Sequence, residues 1–115
     1  MKLQCDIHKS QCTACHGGVE PLRPPRAEQY LRELEPGWRI RFDRYLAREY
    51  LFNDFQEALS FVNKIGEVAE AQGHHPELHL SWGMVQVELW THKIGGLHEN
   101  DFILAAKIDG LYQNL

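Results

Sequence analysis

Hydrophobic and polar positions alternate with two different periods along this chain, and the changes of period mark out its elements. After "PLRPP", the one linker-like stretch, Tyr30, Leu31 and Leu34 form an apolar stripe. Pro25 suits a first helical turn and "EPG" stops the segment, so a short helix is predicted there. Trp38, Ile40 and Phe42 then alternate with Arg39, Arg41 and Asp43, the period-two pattern of a half-buried strand. Asp43-Arg44 predicts a hairpin turn into a second strand near Leu46 to Phe52. The longest helical pattern follows. Asn53 is the expected N-cap, and Phe55, Ala58, Leu59, Val62, Ile65, Gly66 and Ala69 share one face. Gly73 ends that helix and Pro76 prevents it from resuming. "ELHLSW" and "MVQVELWTH" form a second hairpin around Gly83, with Val85, Val87, Leu89 and Thr91 on one face and Gln86, Glu88, Trp90 and His92 on the other. "KIGG" breaks the strand. A last helix runs from about Glu99 to Tyr112 with Leu104, Ile108, Leu111 and Leu115 inward.

This order, α-β-β-α-β-β-α, predicts an α+β two-layer sandwich: a four-stranded antiparallel sheet with three helices on one face. Residues 1–115 are expected to form a single domain, with residues 1–20 an irregular arm. The large Trp90 on an otherwise polar sheet face, together with free strand edges, predicts a homo-oligomer.

Composition narrows the function classes. A formal net charge of -4 and the lack of any basic run argue against a nucleic-acid partner. Apolar runs of only a few residues argue against a membrane span, and the polar start lacks the apolar core of a signal peptide. Three cysteines crowded between Cys5 and Cys15 do not make a disulfide framework, so a reducing, cytoplasmic compartment is expected.

Five of the seven histidines fall between His74 and His98. His74 and His75 are adjacent and precede Pro76, on the turn where helix gives way to strand. His92 and His98 flank Gly95-Gly96. The stretch "EAQGHHPELHLSWGMVQVELWTHKIGGLHENDF" resembles the signature of the pterin-4a-carbinolamine dehydratases at Glu70, His74, His75, Pro76, Trp82, His92 and Asp101. The likeness extends back through "YLFNDFQEALSFVNKIGEVAEAQG" to "CTACHGGVEPL", which is similar to the opening of some bacterial members. Leu78 departs from it, since many members carry an aromatic there that helps wall the pterin pocket.

The resemblance implies a lyase that removes water from a 4a-hydroxytetrahydrobiopterin-type carbinolamine to give quinonoid dihydropterin, supporting pterin recycling for aromatic amino acid hydroxylation. It implies His74 and His92 as the acid/base pair and His75 as mainly a substrate ligand. Glu70, Pro76, Trp82 and Asp101 would be substrate-binding or supporting residues, the assembly would be a homodimer or homotetramer, and no metal or other cofactor is required. The chemistry suits imidazole. The departing hydroxyl needs a proton, the neighbouring N–H must lose one, and histidine titrates near neutrality. The residue patterns alone give other roles to some of these positions: helix capping for Asp101, a solvated carboxylate for Glu70, and packing for Trp82 and Trp90. The alternative function is a non-catalytic dimerisation or pterin-binding module on the same fold.

The arm holds Cys5, His8, Cys12 and Cys15, all residue types that ligate zinc, and Cys12-x-x-Cys15 has knuckle spacing. Structural zinc sites usually join two such pairs across a longer loop. The expectation is therefore an arm without metal, whose removal leaves turnover and stability nearly unchanged.

Overall fold

The computed structural model describes residues 6–13 and 19–115. Helix α1 spans Pro24–Arg32, strands β1 and β2 span Arg39–Arg41 and Tyr45–Leu51, and helix α2 spans Phe55–Gln72. Strands β3 and β4 span Glu77–Ser81 and Met84–Leu89, a short 3-10 turn covers His92–Ile94, and helix α3 spans Glu99–Gln113. The four strands form one antiparallel sheet in the order β1-β2-β4-β3. This is the expected α+β sandwich.

Its register follows from the alternation. Leu46 pairs with Leu89, Tyr50 with Val85 and Leu78 with Val87, so one face of the sheet is apolar across three strands. That face is buried in one cluster with Ala27 and Tyr30 of α1, Ala58, Phe61 and Ile65 of α2, and Phe102, Leu104 and Ile108 of α3. Helix α3 buries Phe102, Ile103, Leu104, Ala105 and Ile108 together. Such all-round burial also carries the polar Asn100, Asp101 and Asp109 into the interior. Buried polar groups need partners, and these three have them.

Several sequence-based expectations shift here. Phe42 does not face inward: it lies in the β1–β2 turn with φ 54° and is 78% exposed. Asp43 beside it is also left-handed, and the Arg44 N–H donates to the Arg41 carbonyl, so the hairpin reverses one residue earlier than Asp43-Arg44 suggested. The N-cap of α2 is Asp54, not Asn53. Asp54 accepts from the Glu57 N–H at 2.8 Å, while Glu57 accepts from the Asn53 N–H at 3.1 Å. The face of α2 turned to the sheet is Ala58, Phe61, Ile65 and Ala69. Phe55 and Leu59, assigned to that face, are 46% and 40% exposed. Apolar positions cover too wide an arc of this helix for spacing alone to locate the buried stripe. Leu115 lies beyond the end of α3 and is exposed.

Described residues of the N-terminal arm pack on the domain. Ile7 is 2% exposed within the core cluster, and the His8 ring bonds through Nε2 to the Glu33 carbonyl at the end of α1.

Candidate active site

The histidine pair owes its position to how α2 ends. Gly73 adopts a left-handed conformation with φ 64°, which a residue with a Cβ resists, and the His74 N–H returns to the Ala69 carbonyl at 3.3 Å. Pro76 disfavours helical geometry at His75 and leads the chain extended into β3. His74 is thereby turned into the protein, with 7% exposure, while His75 stays outside.

Asp101 in the first turn of α3 receives His74. The His74 Nε2 lies 2.6 Å from Asp101 Oδ1. The other oxygen, Oδ2, accepts from the Thr91 hydroxyl and from the His98 N–H, each at 3.0 Å. Asp101 is thus both a helix cap, as its position suggested, and the group that orients the buried imidazole. A carboxylate only accepts, so in this contact Nε2 of His74 donates and Nδ1 is left for proton transfer.

Sheet topology brings His92 to the same end of the molecule. Glu77 at the start of β3 pairs with Glu88 near the end of β4, so the residues before β3 and after β4 emerge side by side. Thr91, next to His92, shares the Asp101 carboxylate with His74. His92 itself opens the 3-10 turn rather than ending the strand. Its ring is exposed and makes no hydrogen bond among the described residues; it stacks on Trp90 with centroids 4.4 Å apart and planes 22° apart. Tyr45 also packs on Trp90, with ring centroids 5.9 Å apart. Trp90 thus packs against Tyr45 and His92 of its own chain and is half-buried on that face of the sheet.

Glu70, in the last turn of α2, pairs through its carboxylate with Nε2 of His75, not with His74. Both side chains are more than half exposed, so the pair is solvated and worth little in stability. Pro76 sits directly beyond. Trp82 is not brought to these residues. It is 69% exposed in the β3–β4 turn, and β3 separates it from the His75 end by about 16 Å at the usual rise per residue. It is neither packed nor near the histidines. Of the remaining histidines, His98 caps α3 by accepting the Asn100 N–H, and His79 lies on the open sheet face beside Glu77 and Glu88.

Of the possible arm ligands, Cys5 and Cys15 lie outside the described residues. His8 is engaged with Glu33, and the Cys12 thiol donates to the Asn100 carbonyl at 3.6 Å.

Sequence reasoning missed Thr91, Trp90 and Asn100 as supports. One signal bore on the carboxylate that Thr91 shares with His74: His98-x-x-Asp101 has the spacing of a capping box, which fixes where Asp101 points.

Comparison with known proteins identifies the family. Residues 20–111 match the family described as pterin 4 alpha carbinolamine dehydratase. A Rickettsia bellii protein provisionally named pterin-4-alpha-carbinolamine dehydratase is 46% identical over 114 residues, covering 99% of this chain and all of its own length. The crystal structure of a transcriptional coactivator/pterin dehydratase from Brucella melitensis superposes with TM-score 0.74 at 31% identity, covering 80% of this chain and 98% of its own. A pterin dehydratase-like protein identified as a RuBisCO assembly factor in the alpha-carboxysome shares the fold, with TM-score 0.58 at 20% identity over 66% of this chain and 89% of its own. With the match spanning α1 to α3 and including His74, His75 and His92, the chain belongs to the pterin 4 alpha carbinolamine dehydratase family.

Proposed function

We propose that this chain catalyses dehydration of a 4a-hydroxytetrahydropterin to the quinonoid dihydropterin, with His74 and His92 as the acid/base pair. The observation that carries the reading is the buried His74 held by Asp101, with one ring nitrogen committed to the carboxylate and the other left over. In the reaction the C4a–O bond breaks. One histidine supplies the proton with which the hydroxyl departs as water, and the other takes the proton of the neighbouring N–H as the C=N bond forms. Positioned proton transfer of this kind contributes on the order of 10²–10⁴-fold. The exposed His75, paired with Glu70, serves as a ligand to the pterin. The physiological setting we propose is cytoplasmic pterin recycling beside an aromatic amino acid hydroxylase.

The experiment is stopped-flow absorbance with chemically prepared 4a-hydroxytetrahydropterin. Catalytic acceleration that survives EDTA treatment supports the reading. Protein that leaves the uncatalysed rate unchanged, or that acts only when metal is added, contradicts it.

We also propose that the chain works as a homo-oligomer. Support comes from the exposed Phe55 and Leu59, which continue through half-buried Val62 to exposed Gly66 as one stripe on α2. Light scattering that shows only monomer at micromolar concentration contradicts this.

A further inference from the structure

We propose that residues 11–13 of the N-terminal arm form a clasp that holds His74 against Asp101, which makes Gln72 and Asn100 positioning residues for the reaction. The clasp lies outside residues 20–111, the part of the chain that matches the family.

His74 and Asp101 sit on different helices. His74 follows the C-terminal end of α2, Asp101 belongs to the N-terminal turn of α3, and their 2.6 Å contact bridges the gap between the two ends. The arm bridges the same gap. On the α2 side the Gln72 side chain accepts from the Cys12 N–H at 2.8 Å and donates to Gln11 Oε1 at 2.5 Å. On the α3 side Asn100, 1% exposed, accepts from the Thr13 N–H at 2.9 Å and donates to the Thr13 carbonyl at 2.7 Å. Gln72 lies two positions before His74, and Asn100 directly precedes Asp101. A primary amide that satisfies both the N–H and the C=O of one residue fixes a backbone segment as a strand partner would. Ile7, buried in the core, anchors the segment from the other end. Catalytic geometry is steep in distance, and a misplacement of about 1 Å costs on the order of 10²-fold. The arm thus sets how the two helix ends meet rather than touching the substrate.

The test uses the full chain carrying Gln72→Ala, Asn100→Ala, or both. It has two readouts, and only the kinetic one rests on the dehydratase reading. In the ligand-free protein labelled with ¹⁵N-histidine, the hydrogen-bonded ring N–H of His74 gives a downfield proton signal, assigned by its loss in His74→Ala. The double variant is expected to lose this signal to solvent exchange while still giving a cooperative thermal transition. Its dehydration turnover is expected to fall about tenfold with KM changed less than about twofold. Gln72→Glu keeps the acceptor for the Cys12 N–H and should recover most of the loss in Gln72→Ala. Should Asn100→Ala fail to fold, Gln72→Ala alone carries the test, because that side chain is only half-buried at a helix end. A retained signal with wild-type turnover overturns the clasp, and so does lost turnover with the signal intact. A signal lost in the variants of a protein that never exceeds the uncatalysed rate supports the clasp and removes the dehydratase reading.

Discussion

Helix α3 carries two buried carboxylates, Asp101 and Asp109, and they do different work. Asp109 lies about two turns along the helix and faces the sheet. It accepts from Trp38 Nε1 at 3.0 and 2.9 Å, from Tyr50 at 2.5 Å and from Arg48 at 2.6 Å. Its partners are side chains from β2 and the residue before β1, so it ties the first hairpin to the helix layer. Asp101 accepts three hydrogen bonds to the four at Asp109, but one of its donors is an imidazole with a second nitrogen to spare. Burial and hydrogen-bond number are nearly the same at the two positions. What separates the two carboxylates is the nature of their donors: guanidinium, indole and phenol at Asp109, and at Asp101 a histidine, the group that the proposed function puts to chemical use.

Replacing each by alanine should break this comparison open, with the largest effects expected at the two carboxylates and their networks. Asp101→Ala should lower dehydration turnover by about 10–100-fold, the usual cost of losing the group that orients a working histidine. Its stability loss should be about 2 kcal/mol, because a helix cap is lost and the buried His74 and Thr91 lose their acceptor. Asp109→Ala leaves Arg48, Trp38 and Tyr50 without their shared acceptor and should cost about 3 kcal/mol or more, with turnover per folded molecule unchanged. Urea unfolding beside stopped-flow kinetics reads both. Equal losses of activity and stability in the two variants would erase the distinction.

How far the sequence revealed this difference depended on distance along the chain. Elements carried by a local period were legible: β4 buries Val85, Val87 and Leu89 as its alternation required, and α2 stops at Gly73 as a left-handed glycine should. The buried stripe of α2 was not, because Phe55, Leu59 and Phe61 are equally apolar and only the sheet decides among them. In the site, the histidines were visible as residue types at characteristic spacing. Their partners were less so. That Asp101 reaches back 27 positions to His74, and Glu70 forward to His75 instead, depends on how two helix ends meet in space. The Asp109 network joins residues 59 to 71 positions apart and has no local period to announce it.

A smaller effect sharpens the catalytic side. Because Trp90 is the only described side chain stacked on His92, Trp90→Leu should lower turnover several-fold, whereas Trp90→Phe keeps a ring in place and should stay within about twofold. Steady-state kinetics of the two variants checks this, and equal activity in both would show that the stack does not position His92.

On the structural side, pH gives the smallest effect. Burial pushes the Asp109 carboxyl above its ordinary 3.8, against the pull of the Tyr50 and Trp38 hydrogen bonds and the Arg48 charge. Burial first, and then the Asp109 charge, also push the Tyr50 phenol far above its ordinary range, so it remains a donor. With the folded-state value raised, the native protein holds the Asp109 proton to higher pH than the unfolded chain does. This group's contribution to stability is therefore greatest in acid and falls as pH rises through the window above 3.8. Urea unfolding between about pH 3 and 7 should show wild type losing stability relative to Asp109→Asn as pH rises. A difference that stays constant, or runs the other way, would show that burial does not dominate at Asp109.

The central claim is that His74 and His92 move the protons of a pterin dehydration. It is tested most directly by the single-turnover rate of 4a-hydroxytetrahydropterin dehydration in wild type, His74→Ala, His92→Ala and the double variant. The account predicts acceleration by wild type, a loss of at least about tenfold in each single variant, and a double variant close to the uncatalysed rate. A double variant that keeps wild-type turnover would place the chemistry elsewhere.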